Sequence, residues 1–143
     1  PLANLINKND NVISAGCSLG AYHAVNVAMR HPELFCKVVG MSGRYDLTKS
    51  KEYFRDLLSN FHNDFVYFNM PNQYLKNLED PNLIQQIAKM DIILIVGKED
   101  PFLESNYILS NILKEKGISH QLFEWDERAH KARYWRKMVK IYF

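Results

Sequence analysis

The sequence predicts an α/β fold, a parallel sheet with flanking helices, on three observations. Short aliphatic or β-branched runs recur along the chain, stretches with helical spacing separate them, and Gly, Pro, Asn and Asp mark the joins. At 143 residues with 47% hydrophobic content, the chain is one domain's worth (residues 1–143) with ample material for a core.

The elements follow in order. Asn9-Asp10-Asn11 reads as turn punctuation before a β-branched strand at Val12-Ile13-Ser14-Ala15, which breaks at Gly16-Cys17-Ser18-Leu19-Gly20 into a helix. On that helix Ala21, Ala24, Val25 and Ala28 recur at helical spacing, with side chains small enough for close packing on a sheet. His31-Pro32 ends it, because the residue before a proline is pushed out of the α region. A second strand runs from Cys36 to Met41 and closes on Ser42-Gly43. The stretch 48–81 is irregular, holds seven aromatic residues, and reads as a cap-like insertion. Asp80-Pro81 then fits a helix cap followed by proline at the first helical position, with Leu83, Ile84 and Ile87 as the buried stripe. Ile92-Ile93-Leu94-Ile95-Val96 is a continuous aliphatic strand of the kind buried on both faces. Leu109, Ile112 and Leu113 mark another helix that Gly117 stops as a left-handed cap. A last strand runs from about His120 to Trp125, and Trp135, Met138, Val139 and Tyr142 give the final helical face.

Composition narrows the function classes. The net charge is +2, from 18 basic and 16 acidic residues, with no basic stripe interleaved with aromatics, so nucleic acid is not an expected partner. No apolar run approaches the ~20 residues of a membrane span, so no membrane association is expected. The start, Pro1-Leu2-Ala3-Asn4, has neither a basic leader nor a methionine and reads as cut rather than processed. The two cysteines, Cys17 and Cys36, fall where strands would bury them and lack metal-ligand spacing. Free buried thiols and a reducing, cytoplasmic compartment are the expectation.

The chemistry concentrates at Gly16-Cys17-Ser18-Leu19-Gly20. A serine projecting from a tight strand-to-helix turn needs small neighbours, and glycines two before and two after it relieve the crowding. Ser18 is therefore the candidate nucleophile. A serine hydroxyl needs a histidine base, and the imidazole needs a carboxylate to fix its tautomer. Reactive groups in parallel sheets gather at the carboxyl ends of strands. After Val96 comes Gly97-Lys98-Glu99-Asp100-Pro101, and after Trp125 comes Asp126-Glu127-Arg128-Ala129-His130. Of the five histidines only His130 lies in a post-strand loop near the end of the chain; His23, His31, His62 and His120 fall on or beside other elements. Asp100 is the favoured acid, with Glu99 and Asp46 as alternatives. Gly40-Met41-Ser42-Gly43 imitates the first glycine-serine motif, but no helix follows it. The aromatic residues of 48–81 suit either an apolar substrate pocket or plain packing of a cap onto the sheet.

Ser18, Asp100 and His130 follow the Ser, acid, His order of α/β-hydrolases. Gly16 to Ala24, Arg30-His31-Pro32-Glu33-Leu34-Phe35, Ser42 to Asp46, Tyr67-Phe68-Asn69-Met70-Pro71 and Tyr134-Trp135-Arg136-Lys137 together resemble the esterase family of that superfamily, the group of esterase D-like and tributyrin-type esterases. The resemblance implies an α/β-hydrolase-type sheet and a serine-dependent carboxylic-ester hydrolase that uses no metal or organic cofactor, acts on small-molecule esters and works through an acyl-enzyme. Lys131-Ala132-Arg133 departs from the acidic and aromatic run more common after the base. The family also places further strands ahead of the nucleophile strand, so the N-terminal strands are expected to be missing. The backbone amide of Leu19 is then one oxyanion-hole donor, and its partner comes from that missing part. Two alternatives accompany the esterase: an acyltransferase or thioesterase variant, and a noncatalytic hydrolase-like fragment or binding module that is inactive or self-associating, as a homo-oligomer.

Overall fold

Four parallel strands in the order β1-β2-β3-β4 organise the molecule. The computed structural model describes residues 11–50 and 53–143. The turn expected at Asn9-Asp10 and the first four residues lie outside them. The strands are β1 (Ile13–Cys17), β2 (Lys37–Met41), β3 (Asp91–Gly97) and β4 (Gln121–Trp125). The helices are α1 (Leu19–Arg30), α2 (Asp64–Tyr67), α3 (Pro71–Tyr74), α4 (Pro81–Ile87), α5 (Leu103–Glu115) and α6 (Ala132–Tyr142). Every predicted strand and long helix is present, with bounds shifted by a residue or two.

Alternation along the central strands divides the core. Val38, Ile92 and Leu94 point to one face, where they pack with Ala21, Val25 and Ala28 of α1, Ile87 of α4, and Leu109, Ile112 and Leu113 of α5. Val39, Met41, Ile93 and Ile95 point to the other face, beneath Met138 of α6. Strand β3 is buried from Ile92 to Gly97, as a continuous aliphatic run between two helical layers must be. Each such Leu or Ile contributes about 1.5–3 kcal/mol on full burial.

The helix ends follow local chemistry. The Asp80 carboxylate accepts the N–H groups of Asn82 and Leu83, with Pro81 at the first helical position. Gly117, at φ 69, closes α5. There the Gly117 N–H donates to Lys114 and the Ile118 N–H to Leu113, the paired bonds of a Schellman cap. His31 caps the end of α1.

Gly40 and Gly43 have a packing role. A Cβ at Gly40 would lie 2.1 Å from the Tyr45 hydroxyl, and one at Gly43 2.1 Å from the carbon bearing it, so both glycines make room for that fully buried ring. This explains the second glycine-serine motif: it houses Tyr45.

Three expectations are corrected. Cys36 is exposed, because it precedes β2 at the strand's entry and its Sγ rests on the Val12 carbonyl; Cys17 is half-buried. Val139 is 43% exposed, because it lies a full helical step off the α6 face that Met138 buries. In the 48–81 stretch Tyr53, Phe61, Phe65 and Phe68 are largely exposed.

Candidate active site

The end of β1 meets the start of α1 at a single residue, Ser18, whose φ of 54° and ψ of −119° are strained for a side-chain-bearing residue. Its N–H donates to the Met41 carbonyl, and its carbonyl accepts from Ala21 and Tyr22, which pins the turn from both sides. Gly16 makes the turn sterically feasible, since a Cβ there would lie 2.2 Å from the Gly20 carbonyl oxygen. Gly20 does not share that duty: a Cβ there would meet nothing within 4 Å, which corrects the expectation that both glycines relieve crowding. A serine at a helix start usually caps it with its hydroxyl. The Ser18 side chain makes no such bond; its Oγ lies 3.1 Å from Nε2 of His130.

His130 reaches this position because two loops approach closely. A Cβ at Gly97 would lie 2.2 Å from the Arg128 carbonyl oxygen, so glycine at the end of β3 lets the 126–130 loop cross over it. The Lys98 N–H donates to Trp125 and the Glu99 N–H to Glu127, tying the two loops together. Glu127 and Ala129 take left-handed conformations, at φ 61 and 50, as the chain turns into His130.

Asp100 completes the group. His130 Nδ1 lies 3.2 and 3.0 Å from its two carboxylate oxygens, and the Phe102 N–H donates to Oδ1. The Asp100 side chain is fully buried and that of His130 only 8% exposed. An ionised carboxylate only accepts, so the imidazole proton sits on Nδ1 and the Nε2 lone pair faces the Ser18 hydroxyl. The geometry thus brings Ser18, His130 and Asp100 into one chain of hydrogen bonds.

The other candidates sit apart from it. Asp46 accepts from the Thr48 backbone and hydroxyl and from Gln73. Glu99 is exposed on the neighbouring turn. Ser42 is buried and accepts from Trp135 Nε1 at 3.4 Å. His120 pairs with Ser110, and His62 with Gln73. Leu19 is the first residue of α1, a position whose N–H has no intrahelical acceptor.

Three aromatic rings that the sequence did not place beside His130 surround the imidazole. Phe54 and Phe102 lie 5.5 Å from it and Trp135 lies 5.3 Å from it, centroid to centroid. Phe102, two residues after Asp100, and Trp135, five after His130, had a signal in their proximity; Phe54 had only its place among the aromatic residues of 48–81. Among the described residues no cluster of His, Cys, Asp and Glu could hold a metal ion, and no helix is long and apolar enough to cross a membrane.

The model of the family described as "Putative esterase" matches residues 3–138. No curated protein sequence matches the chain. Among solved structures it is similar to a ferulic acid esterase, at 22% identity and TM-score 0.73 over 90% of this chain and 47% of that one. It is also similar to an S-formylglutathione hydrolase from Staphylococcus aureus, at 21% identity and TM-score 0.60 over 94% of this chain and 50% of the other. One from Agrobacterium tumefaciens is similar at 18% identity and TM-score 0.59, over 89% and 46%. The chain spans about half the length of these structures, and at such identities the likeness is one of fold.

Proposed function

The chain belongs to the esterase family, and from that premise we propose that it carries the nucleophile, base and acid of a serine-dependent carboxylic-ester hydrolase. The observation that carries this reading is the hydrogen-bonded series Ser18 Oγ, His130 and Asp100, set on the ends of three strands.

In the proposed reaction His130 Nε2 takes the Ser18 proton as Oγ attacks the ester carbonyl carbon. Asp100 holds the imidazole with Nδ1 protonated and stabilises the imidazolium that forms. The carbonyl oxygen, now negative, receives the Leu19 N–H, a donor worth about 10²–10³ in turnover. Collapse of the tetrahedral species breaks the bond to the alcohol oxygen, which leaves with the proton from His130. An acyl group then remains on Ser18. Water, deprotonated by the same Nε2, attacks the acyl carbon and releases the carboxylic acid, and the proton returns to Ser18. The substrate is a small-molecule ester. Phe54, which lies against His130, supports reading the 48–81 insertion as one wall of the site.

Intact-mass labelling of the chain with a fluorophosphonate tests the proposal. The expected result is a single adduct, lost in both Ser18→Ala and His130→Ala. A folded chain that takes no label refutes the reading for this chain, as does one that labels equally in the His130 variant.

A further inference from the structure

Arg44 is only 4% exposed, and a buried guanidinium is tolerated only where acceptors surround it. Among the described residues, none of its hydrogen-bond acceptors is a carboxylate. Its Nη2 is shared among three backbone carbonyls, those of Leu47 at 3.4 Å, Lys49 at 2.8 Å and Arg55. The guanidinium carbon also lies 5.6 Å from the centre of the Phe102 ring. Asp46 and Asp56 attract the charge from a distance, against a burial that pulls its pKa down.

Three carbonyls on one nitrogen draw both ends of a loop to one point. Arg55, whose carbonyl is held, directly follows Phe54. The Phe54 ring lies 4.7 Å from Phe102, and both rings lie 5.5 Å from the His130 imidazole. Two lines of packing therefore run from Arg44 to the imidazole, one through the Arg55 carbonyl and Phe54, the other through Phe102. Trp135 closes on the ring as well, anchored by the buried Ser42.

We propose that Arg44 is a positioning residue for His130. By holding the Leu47, Lys49 and Arg55 carbonyls at one point, it lets Phe54 and Phe102, with Trp135, enclose the imidazole, fix its plane and keep water from the Nδ1–Asp100 hydrogen bond. Arginine suits the task because its weakly hydrated, planar guanidinium can lie over the Phe102 ring while Nη2 meets the carbonyls, whereas a lysine ammonium is a strongly hydrated point charge. The proposal rests on the reading of His130 as the base, and it accounts for a buried guanidinium whose hydrogen-bond acceptors, among the described residues, are backbone carbonyls.

The test is NMR of the full chain, following the proton on His130 Nδ1 and its exchange with water. The proteins compared are the wild type, Phe54→Ala, Arg44→Lys, Arg44→Gln and the Arg44→Gln/Phe54→Ala double variant. Arg44→Gln and Phe54→Ala are each expected to speed exchange by about tenfold or more through local opening. The double variant should be no faster than the quicker single one, because both act on one enclosure. Arg44→Lys should fall between wild type and Arg44→Gln, and it carries the comparison if Arg44→Gln does not fold. A purely structural role would lower the unfolding midpoint and leave this exchange unchanged. Wild-type exchange in the Arg44 variants, or effects that add in the double variant, overturns the proposal. No slowed proton in the wild type instead refutes the assembled Asp100–His130 pair, and the proposed function and the enclosure fall together.

Discussion

Replacing Gly16 by alanine should damage both folding and the reactivity of Ser18, whereas the same change at Gly20 should damage neither. At Gly16 the added Cβ would sit 2.2 Å from the Gly20 carbonyl oxygen, 2.3 Å from its carbon and 2.7 Å from the Ala21 nitrogen. All three are backbone atoms, so no rotamer change gives relief. Ordinary contact begins at 3.4 Å, so the end of β1 and the start of α1 must part by about 1.2 Å. The 3.1 Å contact between Ser18 Oγ and His130 Nε2 has no slack for that movement. Overpacking of this kind costs about 1–3 kcal/mol, and a displacement near 1 Å costs about 10²-fold in rate. At Gly20 a Cβ meets nothing, and alanine in a helix gains about 0.5–1 kcal/mol over glycine. Urea unfolding reads the first quantity and the rate of fluorophosphonate labelling the second. If Gly16→Ala unfolds at the wild-type midpoint, the close approach at the turn is refuted. If Gly20→Ala is as harmful as Gly16→Ala, the distinction drawn between the two glycines is wrong.

Three further outcomes are expected. Asp100→Asn should slow labelling of Ser18 by about 10³–10⁴, because the amide no longer fixes the imidazole tautomer, while Glu99→Gln and Asp46→Asn label like the wild type; a larger loss in either of those would move the acid. Cys36 is exposed, whereas burial raises the Cys17 thiol's pKa, so iodoacetamide near neutral pH should modify Cys36 at least about tenfold faster, and equal rates would contradict the burial assignment. The N–H groups of Leu58 and Asn60 donate to the Asp56 carboxylate and hold its pKa below the ordinary 3.8. That turn is therefore stabilised above about that value and loses the contribution as acid passes the lower folded value. The two amide resonances should titrate together with a midpoint below 3.8, and a midpoint at or above it would show that the bonds do not form.

The residues whose places were legible in the sequence are those governed by short-range chemistry. A β-branched run, a glycine-flanked serine and a small-residue helix are contiguous, so the turn at Ser18 needed no knowledge of the rest of the chain. The places of Asp100 and His130 followed from a topological regularity, that loops at strand ends converge. Phe54 met neither condition. It approaches His130 across 76 positions, beside Arg55, whose carbonyl Arg44 holds, and carbonyls leave no mark in a sequence. The single-turn helices α2 and α3 are too short to show a period. Cys36 was misread because it sits just ahead of β2, at the strand's entry, where it stays exposed. Gly20 was misread because a motif treats its two glycines alike, whereas the space around them differs.

The packing of Tyr45 between Gly40 and Gly43 makes the history of these positions depend on order. A methyl group at Gly40 collides with the Tyr45 hydroxyl at 2.1 Å and finds its next neighbours at 3.4 Å, whereas one at Gly43 collides with the ring carbons themselves. Tyr45→Phe therefore opens position 40 to alanine and leaves position 43 closed. That first step gives up no hydrogen bond, because the buried hydroxyl has no partner among the described residues. A survey of single substitutions would score Gly40 as immutable, although one silent change elsewhere unlocks it. Gly43 becomes free only when the aromatic ring itself is lost.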